Sequence, residues 1–247
     1  KQTAFGKPGP DDDWIMPEQI AGTPELQQKQ KDLCSEFHDC FSTKLRPEAA
    51  RLPPMELKVA DAWDSRENRQ APRPQGGNKQ AAVDEQCNDM LKHNVIVPSK
   101  ASAHSQVHLT RKTDGTYRFC VDFRRLNLNT KPQTWPLPNI QEMFERIGRS
   151  RPKFFAVFDC TKGYYQCPLS ESSQHYTAFI TAKALYNWKR VPMGLQGASA
   201  YYMRTMTTVV LPGLLYNGVD CYLDDIIVYS DNEADYLHKC RQVLERF

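Results

Sequence analysis

The chain has 247 residues, enough for one large domain or two modest ones around a substantial buried core. Hydrophobic residues make up 40% and charged residues 25%, an ordinary globular balance. No run approaches the ~18 apolar residues of a membrane span, and the longest, around Val209–Leu215, is broken by Pro212 and Gly213. The net charge of +3 is too small to demand or exclude a polyanionic partner, so the distribution of charge has to decide.

The N-terminus carries no hydrophobic leader, so the expected location is intracellular, in a cytoplasmic particle or the nucleus, and not secreted. The eight cysteines are scattered with no CxxC pair, the pattern of reduced intracellular thiols. Cys34, His38 and Cys40 come nearest to a metal cluster but lack a downstream pair, and read as helix packing. Nine of the 17 prolines fall in the first 74 residues, and the chain begins with Lys, as a piece of a longer protein would.

Residues 1–22 read as a flexible lead with an acidic knot at Asp11–Asp13. Thr23-Pro24-Glu25 then supplies an N-cap, a first-turn proline and an early acid, with Leu26, Leu33, Phe37 and Phe41 at helical spacing. Pro72–Asn78, with Gly76-Gly77, reads as a linker. After it, Val83, Cys87, Met90 and Leu91 mark an amphipathic helix, and Val95-Ile96-Val97 a short strand closed by Pro98. Residues 105–112 and 116–123 form a hairpin around Asp114-Gly115. A helix over 139–147 is capped by Asn139, places Ile140, Met143, Phe144 and Ile147 on one face, and stops at Gly148.

The strand Phe154–Phe158 ends in Asp159, and a second hairpin joins 175–181 to 185–191. Ala198, Tyr201, Tyr202, Thr205, Met206 and Val209 make a helix. Residues 219–223 and 226–230 flank Asp224-Asp225 at a tight hairpin tip. A last helix starts near Asn232 with Leu237, Cys240, Leu244 and Phe247 on one face, and is still running where the chain stops.

Two acidic features are not explained by folding. Asp224 and Asp225 repel each other between apolar strands, and Asp159 ends a run of five apolar residues. Singly, each reads as a solvated turn or a strand-end cap. Brought together, they want a cation, and hard oxygen ligands suit Mg²⁺. Three acids on two Mg²⁺ ions is an arrangement for in-line nucleotidyl transfer.

The surrounding residues carry a resemblance. YLDD at 222–225 inside an apolar hairpin resembles the catalytic box of reverse transcriptases, and FFAVFDCTKGYYQ at 154–166 their first aspartate box. YRFCVDFRRLN at 117–127 resembles the fingers motif, and PMGLQGASAYYM at 192–203 the glycine motif that follows. TDGTYRFCVDFRRLN and WPLPNI at 135–140 point more narrowly to the gypsy-type LTR retrotransposon branch. The four motifs stand in order over roughly residues 80–247.

The resemblance implies an α/β (α+β) right-hand polymerase with fingers and palm. By it, residues 1–78 are an N-terminal extension or linker with one helix, 79–137 and 168–191 fingers, and 138–167 and 192–247 palm. It implies RNA-directed DNA synthesis with two Mg²⁺ ions (Mn²⁺ a possible substitute), on an RNA template, a DNA primer and dNTPs. Asp159, Asp224 and Asp225 would be the catalytic metal ligands, joined by the backbone carbonyl of Cys160. Lys112, Arg118, Tyr164, Met193 and Gly194 would bind the nucleotide, Tyr164 as a ring under the sugar that rejects a 2′-hydroxyl. Gly197, Tyr222, Leu223 and Arg124 would contact template or primer. The cross-strand register leaves Arg111 open as a substitute for Lys112.

Charge fits that division. Residues 100–131 hold seven bases against two acids, and 217–235 hold six acids and no base. The sequence departs from the family where Ala-Pro and Phe-Gln pairs are usual: Ala198-Ser199 and Tyr202-Met203 stand there. Ser102, Ala103 and Gln106 replace two prolines and a tryptophan before the first hairpin, and His108 interrupts its strand. The family's palm continues into a primer grip, thumb and RNase H domain, so the resemblance implies a fingers–palm piece, thumb absent, with a weak grip on its substrate. Protease, RNase H and integrase segments of a Pol polyprotein would be its neighbours. Two rivals are an inactive remnant that binds nucleic acid, and an RNA-dependent RNA polymerase, against which Tyr164 argues.

Overall fold

The structure, a computed structural model, describes residues 15–17, 19–42, 44–64 and 66–247. The acidic knot at Asp11–Asp13 lies outside the described residues. Helix α1 (Pro24–Glu36) starts as its sequence dictates: the Thr23 hydroxyl accepts from the Leu26 N–H, Pro24 opens the first turn, and Leu26 and Leu33 are buried.

The stretch that follows is built into the core. Met55 and Trp63 are fully buried, Met55 bridges Leu169, and Val59 bridges Thr130. The Ala50 N–H bonds the Gln166 carbonyl at 2.8 Å, and the Tyr201 hydroxyl bonds the Pro53 carbonyl at 2.7 Å. A linker would leave these backbone groups to water. Helix α2 (Gly77–Lys92) also begins inside the stretch expected to be a linker, with Gly76 at its N-cap and Val83, Cys87 and Met90 buried.

Strands β1 (Ile96–Pro98), β2 (Ser105–Arg111) and β3 (Tyr117–Val121) lead into the short helix α3 (Arg124–Leu128). Then come α4 (Ile140–Arg149), β4 (Phe154–Asp159), α5 (Gly163–Gln166) and α6 (Glu171–Gln174). Strands β5 (Phe179–Ile180) and β6 (Leu185–Trp188) precede α7 (Ala198–Thr205), which continues into a π-helical turn over Met206–Val210. The hairpin β7 (Val219–Tyr222) and β8 (Asp225–Ser230) and the helix α8 (Glu233–Leu244) complete the order.

Two sheets result. The first runs β1-β6-β5-β2-β3, with β2 and β5 parallel and every other pair antiparallel. Along β2, Val107 and Leu109 point inward while His108 and Thr110 face solvent, so His108 fits the alternation of a half-buried strand. Phe119, Phe179 and Trp188 close the inner face with ring centroids 5.5–6.4 Å apart. Gly115 makes the hairpin turn at φ +85°, and the Asp114 carboxylate accepts from the Thr116 N–H and hydroxyl.

The second sheet runs β4-β8-β7, all antiparallel. Val219, Cys221, Ile226 and Val228 bury one face. Helix α8 packs there, Tyr236 stacking on Phe154 at 5.8 Å, and Asn232 caps its start through the Asp235 N–H. The helix ends at Leu244, short of Phe247. Between the sheets, the buried Arg190 guanidinium donates to the carbonyls of Tyr165, Arg46 and His93, tying three segments together.

Helix α4 departs from its expected packing. Asn139 caps it, but it runs through Gly148 to Arg149, and of its apolar side only Met143 is buried, with Phe144 69% exposed. The Arg146 guanidinium holds it to the sheet through the Asp220 carboxylate at 2.6 Å, and Asp220 also accepts from the Tyr229 hydroxyl at 2.9 Å.

Candidate active site

Asp159 is the last residue of β4 and pairs with Asp225, the first residue of β8. The Cys160 N–H donates to the Asp224 carbonyl at 3.0 Å, which extends the ladder one pair beyond the strands. Three carboxylates therefore meet at one end of one sheet. The hairpin turn is Leu223-Asp224, one residue earlier than the sequence suggests, so Asp225 belongs to the strand and Tyr222 stands opposite it. Leu223 takes a left-handed φ of +55°, a conformation that costs a non-glycine residue about 1–2 kcal/mol. The Leu223 N–H faces the Met203 sulfur at 3.1 Å, and its carbonyl faces the Cys221 thiol at 3.3 Å. Those contacts support the strained turn that presents Asp224.

Burial, and then the Asp224 and Asp225 charges, push the Asp159 carboxyl above its ordinary range. Among the described residues no Lys or Arg pairs with any of the three acids. Nor do any three His, Cys, Asp or Glu side chains among them form a ready-made metal cluster. The donor set still fits Mg²⁺, whose shell is completed by water and phosphate oxygens around one or two carboxylates. The Cys160 thiol is pushed up to about 11, mainly by burial, so its backbone and not its sulfur is the group available to a hard cation.

Beside this end of the sheet lies a cleft of about 360 Å³, lined by Asn127, Tyr164, Met193, Gly194, Gln196 and Ser199 among others. Three residues singled out for nucleotide binding thus share one cavity. Met193 is half exposed, and Gly194 has φ +91°. Tyr164 is nearly buried on α5; burial raises its phenol, its hydrogen bond with Ser199 opposes that, and the Asp224 charge adds to it. The Gly163 N–H bonds the Cys160 carbonyl at 2.9 Å, which ties the tyrosine's turn to the residue that follows Asp159. Gly163 is required here, because a Cβ would lie 2.6 Å from the Tyr202 hydroxyl.

The sequence did not point to Asn127. Its amide donates to the Gly194 carbonyl at 2.9 Å and accepts from the Gln196 N–H at 2.8 Å, clamping the 193–197 loop to α3. The only signal was its place at the end of the fingers motif. Gly197 caps α7 with φ +82°, and a Cβ there would press on Gln133 at 3.3 Å.

Lys112 and Arg118 do not line the cleft. They stand at the tip of the β2–β3 hairpin, where Thr110 pairs with Arg118 and Arg111 with Tyr117. Alternation then puts Lys112 and Arg118 on one exposed face and Arg111 on the other, which settles the register left open by the sequence. Arg124 is exposed but engaged, its guanidinium making two bonds of 2.6 and 2.8 Å to Asp122.

A strand ending in one acid, set against a hairpin that presents two more, near a cleft lined by a tyrosine, is the arrangement the resemblance implies for a palm-type polymerase domain. Residues 110–247 match the family model described as reverse transcriptase (RNA-dependent DNA polymerase). The retrovirus-related Pol polyprotein from transposon opus of Drosophila melanogaster is 31% identical over 205 residues, covering 78% of this chain and 20% of that protein. The corresponding polyprotein from transposon gypsy is 32% identical over 171 residues, 66% of this chain and 16% of that protein. Among solved structures, the foamy viral protease-reverse transcriptase in complex with RNA/DNA hybrid superposes with a TM-score of 0.78 at 18% identity, over 92% of this chain and 30% of that one. The chain belongs to the reverse transcriptase family, and it spans about a fifth or less of the length of these curated relatives. No helix among the described residues is long and apolar enough to cross a membrane.

Proposed function

We propose that this chain carries the polymerising centre of a retrotransposon Pol polyprotein and extends a DNA primer on an RNA template. The observation that carries the reading is the meeting of Asp159, Asp224 and Asp225 at one sheet end beside the Tyr164 cleft. Asp159 and Asp224 would hold two Mg²⁺ ions, with Asp225 and the Cys160 carbonyl in support. When bound, the ions supply Lewis acidity toward the primer 3′-hydroxyl and the triphosphate.

The chain's own residues do the rest by position. Asp159 and Asp225 present their carboxylates from facing strand ends and Asp224 from the sulfur-braced turn, none of them paired with a Lys or Arg among the described residues. Tyr164 fills the floor of the cleft where a ribose 2′-hydroxyl would sit, and Met193 offers a polarizable surface to a base or sugar. Lys112 and Arg118, on one exposed hairpin face, offer a point charge and a fork to phosphate. Gly197, Tyr222, Leu223 and Arg124 would contact template or primer, Arg124 after exchanging Asp122 for a phosphate. The nucleophile belongs to the substrate, so the chain needs none.

The test is incorporation of one nucleotide opposite an RNA template, with a dNTP or its ribonucleotide supplied separately in Mg²⁺. The expected result is incorporation of the dNTP, with the ribonucleotide discriminated against and Tyr164→Ala relaxing that choice. Equal use of both by the unmodified chain would favour an RNA polymerase instead.

A further inference from the structure

We infer that Ser199 is a positioning residue for sugar selection, holding the Tyr164 phenol in place; the inference rests on the polymerase reading above. The Tyr164 hydroxyl and the Ser199 Oγ lie 3.2 Å apart, and both residues line the cleft. The resemblance puts a proline at this position, which has no group to hold a phenol. Here the side chain at the second residue of α7 reaches across to a residue 35 positions earlier.

The rest of the ring is fixed from the other side. Tyr202 packs against Tyr164 with centroids 5.0 Å apart and planes at 35°. The Tyr202 hydroxyl in turn occupies the space that the missing Cβ of Gly163 leaves open. Tyr164 sits on a single turn of helix entered through Lys162 in the left-handed region at φ +50°, so the local backbone alone fixes its ring poorly. The tilted Tyr202 ring limits how the Tyr164 ring can turn; the Ser199 contact sets how far the tip projects into the cleft. A selectivity that depends on excluding one oxygen atom needs that tip held to about half an ångström. Ser199 does this without touching substrate chemistry.

The experiment measures kcat/KM for dCTP and for CTP opposite a template guanosine, in the full chain and in Ser199→Ala, Ser199→Thr, Tyr164→Phe and the Ser199→Ala/Tyr164→Phe double variant. The unmodified chain, Ser199→Ala and Ser199→Thr are also made with 3-fluorotyrosine at position 164 and read by ¹⁹F resonance. The expected result is a loss of dCTP preference of about fivefold, what one neutral hydrogen bond is worth, in Ser199→Ala and in Tyr164→Phe. The double variant should be no worse than either single variant, because both remove one contact. Ser199→Thr should restore the preference, and the ¹⁹F resonance should move in Ser199→Ala but not in Ser199→Thr. An active chain whose preference and resonance ignore Ser199→Ala, or whose two losses add, overturns the Ser199 role alone. No dCTP incorporation by the unmodified chain overturns the polymerase reading, and the selectivity role with it.

Discussion

Asp159 stands directly opposite Asp225 across the β4–β8 ladder. Because the Cys160 N–H donates the next hydrogen bond to the Asp224 carbonyl, the Asp159–Asp225 pair is of the non-hydrogen-bonded kind, in which facing side chains lie closest. Two like charges are thus held together at a position where sheets favour opposite ones. Folding gains nothing from this.

The first prediction concerns that repulsion. The carboxyl of Asp159 is raised in the folded chain, so its contribution to stability is fully present below the ordinary carboxylate range and is lost as pH rises through the raised value. At pH 7 without divalent cations, Asp159→Asn should melt higher than the unmodified chain. Its exposure caps the gain at about 1 kcal/mol, or roughly 2–4 °C. The gap should close below about pH 3.5, where the carboxyl is protonated in both states. Added Mg²⁺ should raise the melting temperature of the unmodified chain more than that of the variant. Thermal melts with EDTA or Mg²⁺ at both pH values check it.

A second prediction concerns the anchor of α4. Asp220 is 1% exposed and bonds both Arg146 and Tyr229, while Arg146 also lies 4.8 Å over the Tyr216 ring. Arg146→Ala leaves a buried carboxylate without its cation and should cost about 3–5 kcal/mol. Tyr229→Phe removes one hydrogen bond and should cost about 1–2 kcal/mol. Urea unfolding measures both, and equal costs would contradict the assignment of Arg146 as the main partner.

The legible part of this chain is its local chemistry. Thr23, Asn139 and Asn232 cap helices as their side chains dictate, and Gly115 makes the turn its dipeptide suggests. The order of the acids and the apolar strands leading to them was also readable, because both are properties of short windows. What was not readable depends on distant partners. Periodicity shows that α4 has an apolar side but not whether anything covers it, and Phe144 is left in solvent. The proline-rich stretch around Met55 and Trp63 lacks periodicity, yet it packs against residues more than 70 positions away. The Leu223 turn shifted by one residue because Met203 and Cys221 brace a backbone conformation that leucine alone would avoid. Asn127 and Ser199 act through partners 67–69 and 35 residues away, which no local pattern reveals.

A third prediction isolates one such contact. Gly163→Ala would drive a methyl into the Tyr202 hydroxyl at 2.6 Å and should destabilise the chain by about 1–3 kcal/mol. Tyr202→Phe removes the oxygen it meets, so Gly163→Ala should cost less in that background. Denaturant midpoints for the four chains of this cycle measure the difference. Equal costs in both backgrounds would show that the glycine is not there to admit Tyr202.

The most direct measurement is single-nucleotide extension of a DNA primer on an RNA template in Mg²⁺, with the unmodified chain and Asp224→Asn side by side. Extension by the unmodified chain is expected, with a loss of at least about a hundredfold in the variant, whose fold is retained. Extension at equal rates by both would contradict it, because the three acids at the end of the sheet would then not be where the chemistry occurs.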